Sequence, residues 1–278
     1  MFRKYGIIGI VIILLMEINF VLKIEPFASW YFPIIWFGYI LVVDALVYRI
    51  KGSSYISSKP GQFAFLIFVS AIVWWMFEFI NISLGNWRYV GTGGIGPAWA
   101  KFIFGTLSFS TVMPAVFETT ELLKSLHLFD TVKLKKSYKI KKETVYLMSF
   151  TGVICIVLSI TFPMLFFPLI WLAFFLILDP FNYLHKKPSI IGHLKDRRLV
   201  IPVALFVGAT ICGFLWEFWN FWAIPKWTYH IPFVDFLKIF EMPVLGYLGY
   251  GPFGWEIYSI YYFISGLFFE KKTQIIKI

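Results

Sequence analysis

The stretch FPIIWFGYILVVDALVY, Phe32 to Tyr48, returns as FPLIWLAFFLILDPFNY, Phe167 to Tyr183. Phe-Pro, Trp, Leu, Asp and Tyr recur at identical spacing with a constant offset of 135 residues, so Trp36 answers to Trp171, Asp44 to Asp179 and Tyr48 to Tyr183. A repeated apolar run of this kind sets the architecture before any site is named. The match extends outward: Glu78 and Asn81 answer to Glu217 and Asn220, NWRY at Asn86 to KWTY at Lys226, and Lys101 to Lys238. PAVFE ending in Glu118 answers to PFGWE ending in Glu256, each a proline four residues ahead of an acid.

The chain has 278 residues, 59% of them hydrophobic and only 14% charged, with a mean hydropathy of +0.77. That balance lies outside the soluble range, and apolar runs of roughly 17–25 residues, enough to cross a bilayer, recur along the whole length. Spans are predicted at 6–22, 29–48, 62–83, 101–124, 144–162, 165–183, 199–223 and 243–268. The expected fold is all-α: a polytopic transmembrane bundle of about eight helices built from two parallel four-helix repeats, 1–124 and 144–278, joined by a basic linker over 125–143. An even number of spans per repeat preserves orientation, so the halves are expected to be related by an axis along the membrane normal.

The formal charge of +10 does not point to nucleic acid, because 20 of the 25 Lys and Arg fall in alternate loops and at the two ends. These are Arg3 and Lys4, Arg49 to Lys59, Lys124 to Lys142, Lys186 to Arg198 and the tail from Lys271, while Lys23, Arg88, Lys101, Lys226 and Lys238 lie opposite. The bias places both termini in the cytoplasm of a multi-pass protein of the plasma or inner membrane. The basic loops are also suited to anionic lipid headgroups. The opening MFRKYGIIGIVIILLMEINF resembles a signal peptide in its charged start and apolar core, but no small-residue cleavage site follows and it reads as the first helix. Cys155 and Cys212 lie inside predicted spans without metal-binding spacing, and no metal or cofactor motif is present.

A carboxylate within a span costs about 2.5–3.5 kcal/mol on insertion scales, so it is expected to be partnered or functional. Asp44 and Asp179 fall near the cytoplasmic ends of their spans and read as caps or anchors. Glu78 and Glu217 lie inside the opposite ends, with Asn81 and Asn220 about one helical turn further on the same face. If the fourth and eighth helices start late, near Thr111 and Pro252, Glu118 and Glu256 fall in early turns and join Glu78 and Glu217 in the outer half of the membrane. Ala98 to Ser110 and Val234 to Gly251 are then interfacial or re-entrant segments. Four acids there cannot all ionise cheaply, which leaves neutral acids able to donate protons, oriented by the two asparagines. Trp75, Trp87, Tyr89, Trp216, Trp219, Trp227 and Tyr229 supply ring faces around them, and His230, found in the second half alone, is a further acid or base candidate.

Two membrane half-domains, each with an intramembrane acid, a Trp-x-aromatic step and a proline followed by an acid, resemble the membrane-embedded carotenoid enzymes, the lycopene cyclase domain family and the related carotenoid hydratases. The residues carrying the resemblance are Glu78, Trp87, Tyr89, Pro114 and Glu118, with Glu217, Trp227, Tyr229, Pro252 and Glu256. It implies protonation of a polyene double bond by a carboxylic acid without redox chemistry. The sequence departs from that pattern in having single acids four residues after the prolines, and an asparagine after each first acid. Three functions follow as expectations: a cyclase, hydratase or isomerase type acid–base enzyme acting on an isoprenoid, carotenoid or other membrane lipid (an isomerase or lyase in class); a proton-coupled transporter or carrier; or a non-enzymatic binding or assembly protein whose acids fix the fold.

Overall fold

The computed structural model describes residues 2–135, 140–269 and 276. Lys136 and Lys139 of the linker, and Lys271, Lys272 and Lys277 of the basic tail, lie outside the described residues. The first half holds α1 (Lys4–Leu22), α2 (Tyr31–Lys51), the short α3 (Tyr55–Ser58), α4 (Pro60–Leu84), β1 (Trp87–Val90), α5 (Ala98–Ser110) and α6 (Val112–Ser125). The second holds α7 (Lys142–Thr161), the one-turn α8 (Pro163–Phe166), α9 (Ile170–Leu184), α10 (Ile190–Lys195), α11 (Val200–Trp222), β2 (Lys226–Tyr229), β3 (Lys238–Ile239), β4 (Met242–Pro243) and α12 (Tyr250–Phe268).

Among the described residues, seven helices are long and apolar enough to cross a membrane: α1, α2, α4, α5 with α6, α7, α8 with α9, and α11. The expected eighth, α12, has the place and 19 residues but not the hydropathy. It packs against α4, α9 and α11, and Glu256, Tyr258, Ser259, Tyr261, Tyr262 and Ser265 are all buried. A helix enclosed by neighbours needs no apolar surface, so its polar side chains go undetected by a hydropathy window. The outermost helices show the opposite pattern. α1 and α7 are strongly apolar and bury only a narrow seam. A side chain on Gly9 would stand 2.6 Å from the Gly38 carbonyl of α2, and one on Gly152 would stand 2.8 Å from the Ala173 carbonyl of α9. Both seams close by the approach of backbone to backbone that small residues permit.

Asp44 and Asp179 hold the turns that follow α2 and α9. Asp44 Oδ1 accepts the Ile56 amide of α3 at 2.9 Å, and Asp179 accepts the Ile190 and Ile191 amides of α10 at 2.7 and 2.9 Å. Each carboxyl thus satisfies amides at a helix start that have no intrahelical acceptor.

The fourth span begins at Ala98, not near Thr111, and runs to Ser125 with a break at Thr111. Pro114 has no N–H to offer Ser110, and Ser70 of α4 enters the gap. Its hydroxyl donates to the Phe109 carbonyl at 2.6 Å and accepts the Met113 amide at 3.0 Å. A side chain inserted into the helical ladder produces a local bend. In the second half the late start is found: α12 begins at Tyr250, and Val244–Gly249 before it form a 3₁₀ helix in place of an α-helix. Gly246 and Gly249 disfavour α-helix there, whereas Ala98–Ser110 carries Gly105 alone. The chain before α12 nevertheless runs beside α11, with Phe240 packed 5.6, 5.5 and 5.8 Å from the rings of Phe214, Phe218 and Phe221.

Removing the inserted hydroxyl leaves two buried backbone groups without their partner. Ser70→Ala is therefore expected to cost about 1–3 kcal/mol, read as a lower Tm of the purified protein in detergent. An unchanged Tm would show that the break closes on itself without Ser70.

Candidate functional site

β1 and β2 form an antiparallel ribbon between the ends of α4 and α11, with Trp87 paired to Tyr229, Arg88 to Thr228, Tyr89 to Trp227 and Val90 to Lys226. Two asparagines hold it. Asn81 Nδ2 donates to the Trp87 carbonyl at 2.9 Å, and its Oδ1 accepts the Asn86 amide at 3.0 Å. Asn220 Nδ2 donates to the Trp227 carbonyl at 2.9 Å, and its Oδ1 accepts the Trp227 amide at 2.9 Å. Their role is to fix the strand after each helix; the bonds they make go to backbone and not to the acids they were expected to orient.

Alternation along the strands puts Trp87, Tyr89, Trp227 and Tyr229 on one face of the ribbon. Two of these side chains reach Glu78: its Oε1 accepts Trp87 Nε1 at 3.0 Å and the Tyr89 hydroxyl at 2.6 Å, together with Trp74 Nε1 at 3.1 Å from the preceding helical turn. Glu217 Oε1 accepts the Tyr229 hydroxyl at 2.7 Å and the Tyr250 hydroxyl at 2.5 Å. Trp227 Nε1 donates to the Tyr229 oxygen at 2.7 Å, so that tyrosine is aligned as a donor to the acid. Burial holds the Tyr229 phenol well above its ordinary range, so it keeps the proton it donates.

The two acids differ in access. Glu217 is fully buried, and among the described residues its Oε2 has no hydrogen-bond partner. Glu78 is half-buried, and Tyr89 above it is 42% exposed. Gathering every donor on one oxygen leaves the other for a proton, because a neutral carboxyl accepts at its carbonyl oxygen and donates from its hydroxyl.

Glu118 and Glu256 do not join this group. With the fourth span beginning at Ala98, Glu118 falls near the opposite end, where its carboxyl lies against that of Asp44. Glu256 turns to α9 and accepts the Phe174 amide at 3.0 Å. The expected cluster of four acids is therefore two ribbon-capped nests and two separate sites. Trp75 donates to Thr106 at 3.1 Å and stacks on Phe102, and Trp219 donates to Glu17 at 3.0 Å, so neither ring bonds the nests. Trp216 packs on Tyr250 at 5.9 Å and on Trp36 at 5.4 Å. His230 is exposed, and its backbone amide bonds the Asn86 carbonyl at 2.9 Å; it is not placed as an acid or base on either carboxyl. Tyr250 was not singled out from the sequence, yet it makes the shortest bond to Glu217. Its signal was its place two residues ahead of Pro252, at the start of a helix facing α11.

Asn220→Ala removes both bonds that hold Trp227. Backbone amides of Trp87–Val90 and Lys226–Tyr229 are expected to exchange with solvent at least tenfold faster, corresponding to a loss of about 1–3 kcal/mol, as measured by hydrogen–deuterium exchange. Protection equal to wild type would remove the asparagine from this role. No protein-family model, curated protein or solved structure significantly matches the chain.

Proposed function

We propose that the protein is a multi-pass membrane protein of two parallel repeats, and that Glu217 is an intramembrane acid that exchanges a proton with an isoprenoid or other hydrophobic lipid. The reading of two repeats is supported by the ribbon register. Trp87 and Trp227 are counterparts, as are Tyr89 and Tyr229, and each Trp pairs with the other half's Tyr. A two-fold axis requires this exchange of partners. With both termini and the basic loops on one side, that side is the cytoplasm and the ribbon is external.

One observation carries the acid–base assignment: both donors to Glu217 converge on Oε1, while Oε2 is buried and without a partner among the described residues. A carboxyl in this state is poised to protonate a carbon–carbon double bond or to take a proton from the cation that results. Ring faces of Trp216, Trp227, Tyr229 and Tyr250 beside it are suited to a developing positive charge. A protonated acid kept neutral in an apolar setting so that it can donate is a known enzymatic device. A proton-coupled carrier is the second reading, favoured by the 3₁₀ segment Val244–Gly249 that leads beside α11 and delivers Tyr250 to the same acid. Interrupted α-helix commonly lines a transport site.

Lipid extraction and mass spectrometry of the purified protein are expected to find a polyene or other isoprenoid bound. Turnover of that lipid should fall about 10²–10⁴-fold in Glu217→Gln, the size of a lost general acid, while Glu241→Gln retains it. Absence of any bound lipid, together with solute-driven proton uptake in liposomes that Glu217→Gln abolishes, would replace the enzyme with the carrier.

A further inference from the structure

At the end of the bundle away from the ribbon, α1, α2, α3 and α6 build a second acid site. Asp44, fully buried, is saturated with donors: the Ile56 amide at 2.9 Å on Oδ1, and Ser54 Oγ at 2.7 Å with the Tyr5 hydroxyl on Oδ2. Glu118 is equally buried and lies against Asp44, yet among the described residues no donor reaches either of its oxygens. The nearby cations are committed elsewhere. Lys51 and Lys124 both pair with Glu121, the latter at 2.9 Å, and Tyr55 donates to the same carboxylate at 3.1 Å.

Two touching carboxyl groups cannot both be anions at small cost, since like charges at contact repel strongly where water is excluded. The donor count says which one is charged. Asp44 receives three hydrogen bonds and is the carboxylate; Glu118 receives none and must be the group that donates. We propose that Asp44 and Glu118 form a proton-binding site, in which Glu118 carries the proton, donates it in a hydrogen bond to Asp44, and exchanges it with water at the Lys51–Glu121–Lys124 edge. On release the Glu118 O–H bond breaks and the proton passes to water there, beside the Lys51 side chain that is 37% exposed.

The other titratable groups facing the pair are Tyr5 from α1, Tyr39 from α2, Tyr55 from α3 and Glu121 from α6, with Tyr262 of α12 behind Tyr55 and Cys212 of α11 reached through Thr119. The second half has no such pair. Its counterpart of Glu118, Glu256, accepts the Phe174 amide on Oε1 at 3.0 Å, and Ser259 stands where Glu121 does and donates to Asp179 at 3.1 Å. The site is therefore a specialisation of the first half, and it does not depend on the reading of Glu217.

Infrared spectroscopy of the protein in lipid nanodiscs tests this directly through the C=O stretch of protonated carboxyl groups. At neutral pH the wild type is expected to show a component that is lost in Glu118→Gln and kept in Glu217→Gln. The glutamine amide can donate to Asp44 as the acid did, so the variant should fold. Wild type alone gives the second measurement. Raising the pH above the ordinary carboxyl range should lower Tm while the component persists, because the acid is neutral in the fold and ionised in the unfolded chain; at higher pH the component is lost reversibly and the fall in Tm levels off. An unchanged carboxyl component in folded Glu118→Gln, or a wild type with no component that titrates, would overturn the proposal.

Discussion

A peptide group inside hydrocarbon has no water to bond, so every place where a helix ends or breaks at depth must be satisfied by another part of the chain. In this protein short polar side chains supply that partner at each critical position. Ser70 fills the break between α5 and α6, Asp44 and Asp179 hold the starts of α3 and α10, and Asn81 and Asn220 hold the strands beyond α4 and α11. The polar residues that looked anomalous in so apolar a chain are largely the means by which its backbone turns. Glu78 and Glu217 belong to the same scheme in part, because their bonds to ribbon rings fix the roof to the helices. In Glu217 one oxygen, Oε2, does none of this work among the described residues.

Much of this was legible because both signals are periodic. The spans follow from apolar runs, and the acid, amide and Trp-x-Tyr correspondences follow from spacing alone. The reading of Asp44 and Asp179 as caps also agrees with their bonds. The fate of Glu118 was not legible, because its depth depends on where the helix begins. The two pieces of that span are joined across the break by Ser70, a residue on another helix, filling a gap opened near Pro114. Once the helix runs from Ala98, Glu118 is carried away from Glu78 and toward Asp44. Pattern within a segment gives no information about a partner supplied from outside it. For α12 the hydropathy signal failed for a related reason, since its surroundings are protein.

The two halves place the same acids in unlike settings. Glu256 has a backbone amide to accept, whereas Glu118 has another carboxyl; Glu217 is sealed, whereas Glu78 sits under an exposed tyrosine. Buried carboxyl oxygens without a donor among the described residues are found on Glu118, Glu217 and Glu256, and Glu118 alone has none on either oxygen.

That arrangement has an energetic logic. A buried acid without a donor is costly as an anion and cheap as a neutral group, so each such position stores a proton in the folded state. Filling all four positions this way would leave four hydroxyl groups in need of acceptors. The Phe174 amide on one oxygen of Glu256 and the exposure of Glu78 lower that cost at two of the four. Between the two, α6 and α11 pack along each other and carry Glu118 and Glu217 on their opposing ends, with Thr119 and Cys212 in contact at 3.3 Å between them. A shift of one helix along the other would therefore be felt at both acids, which is the physical link that a two-site protein needs if the sites are to act together.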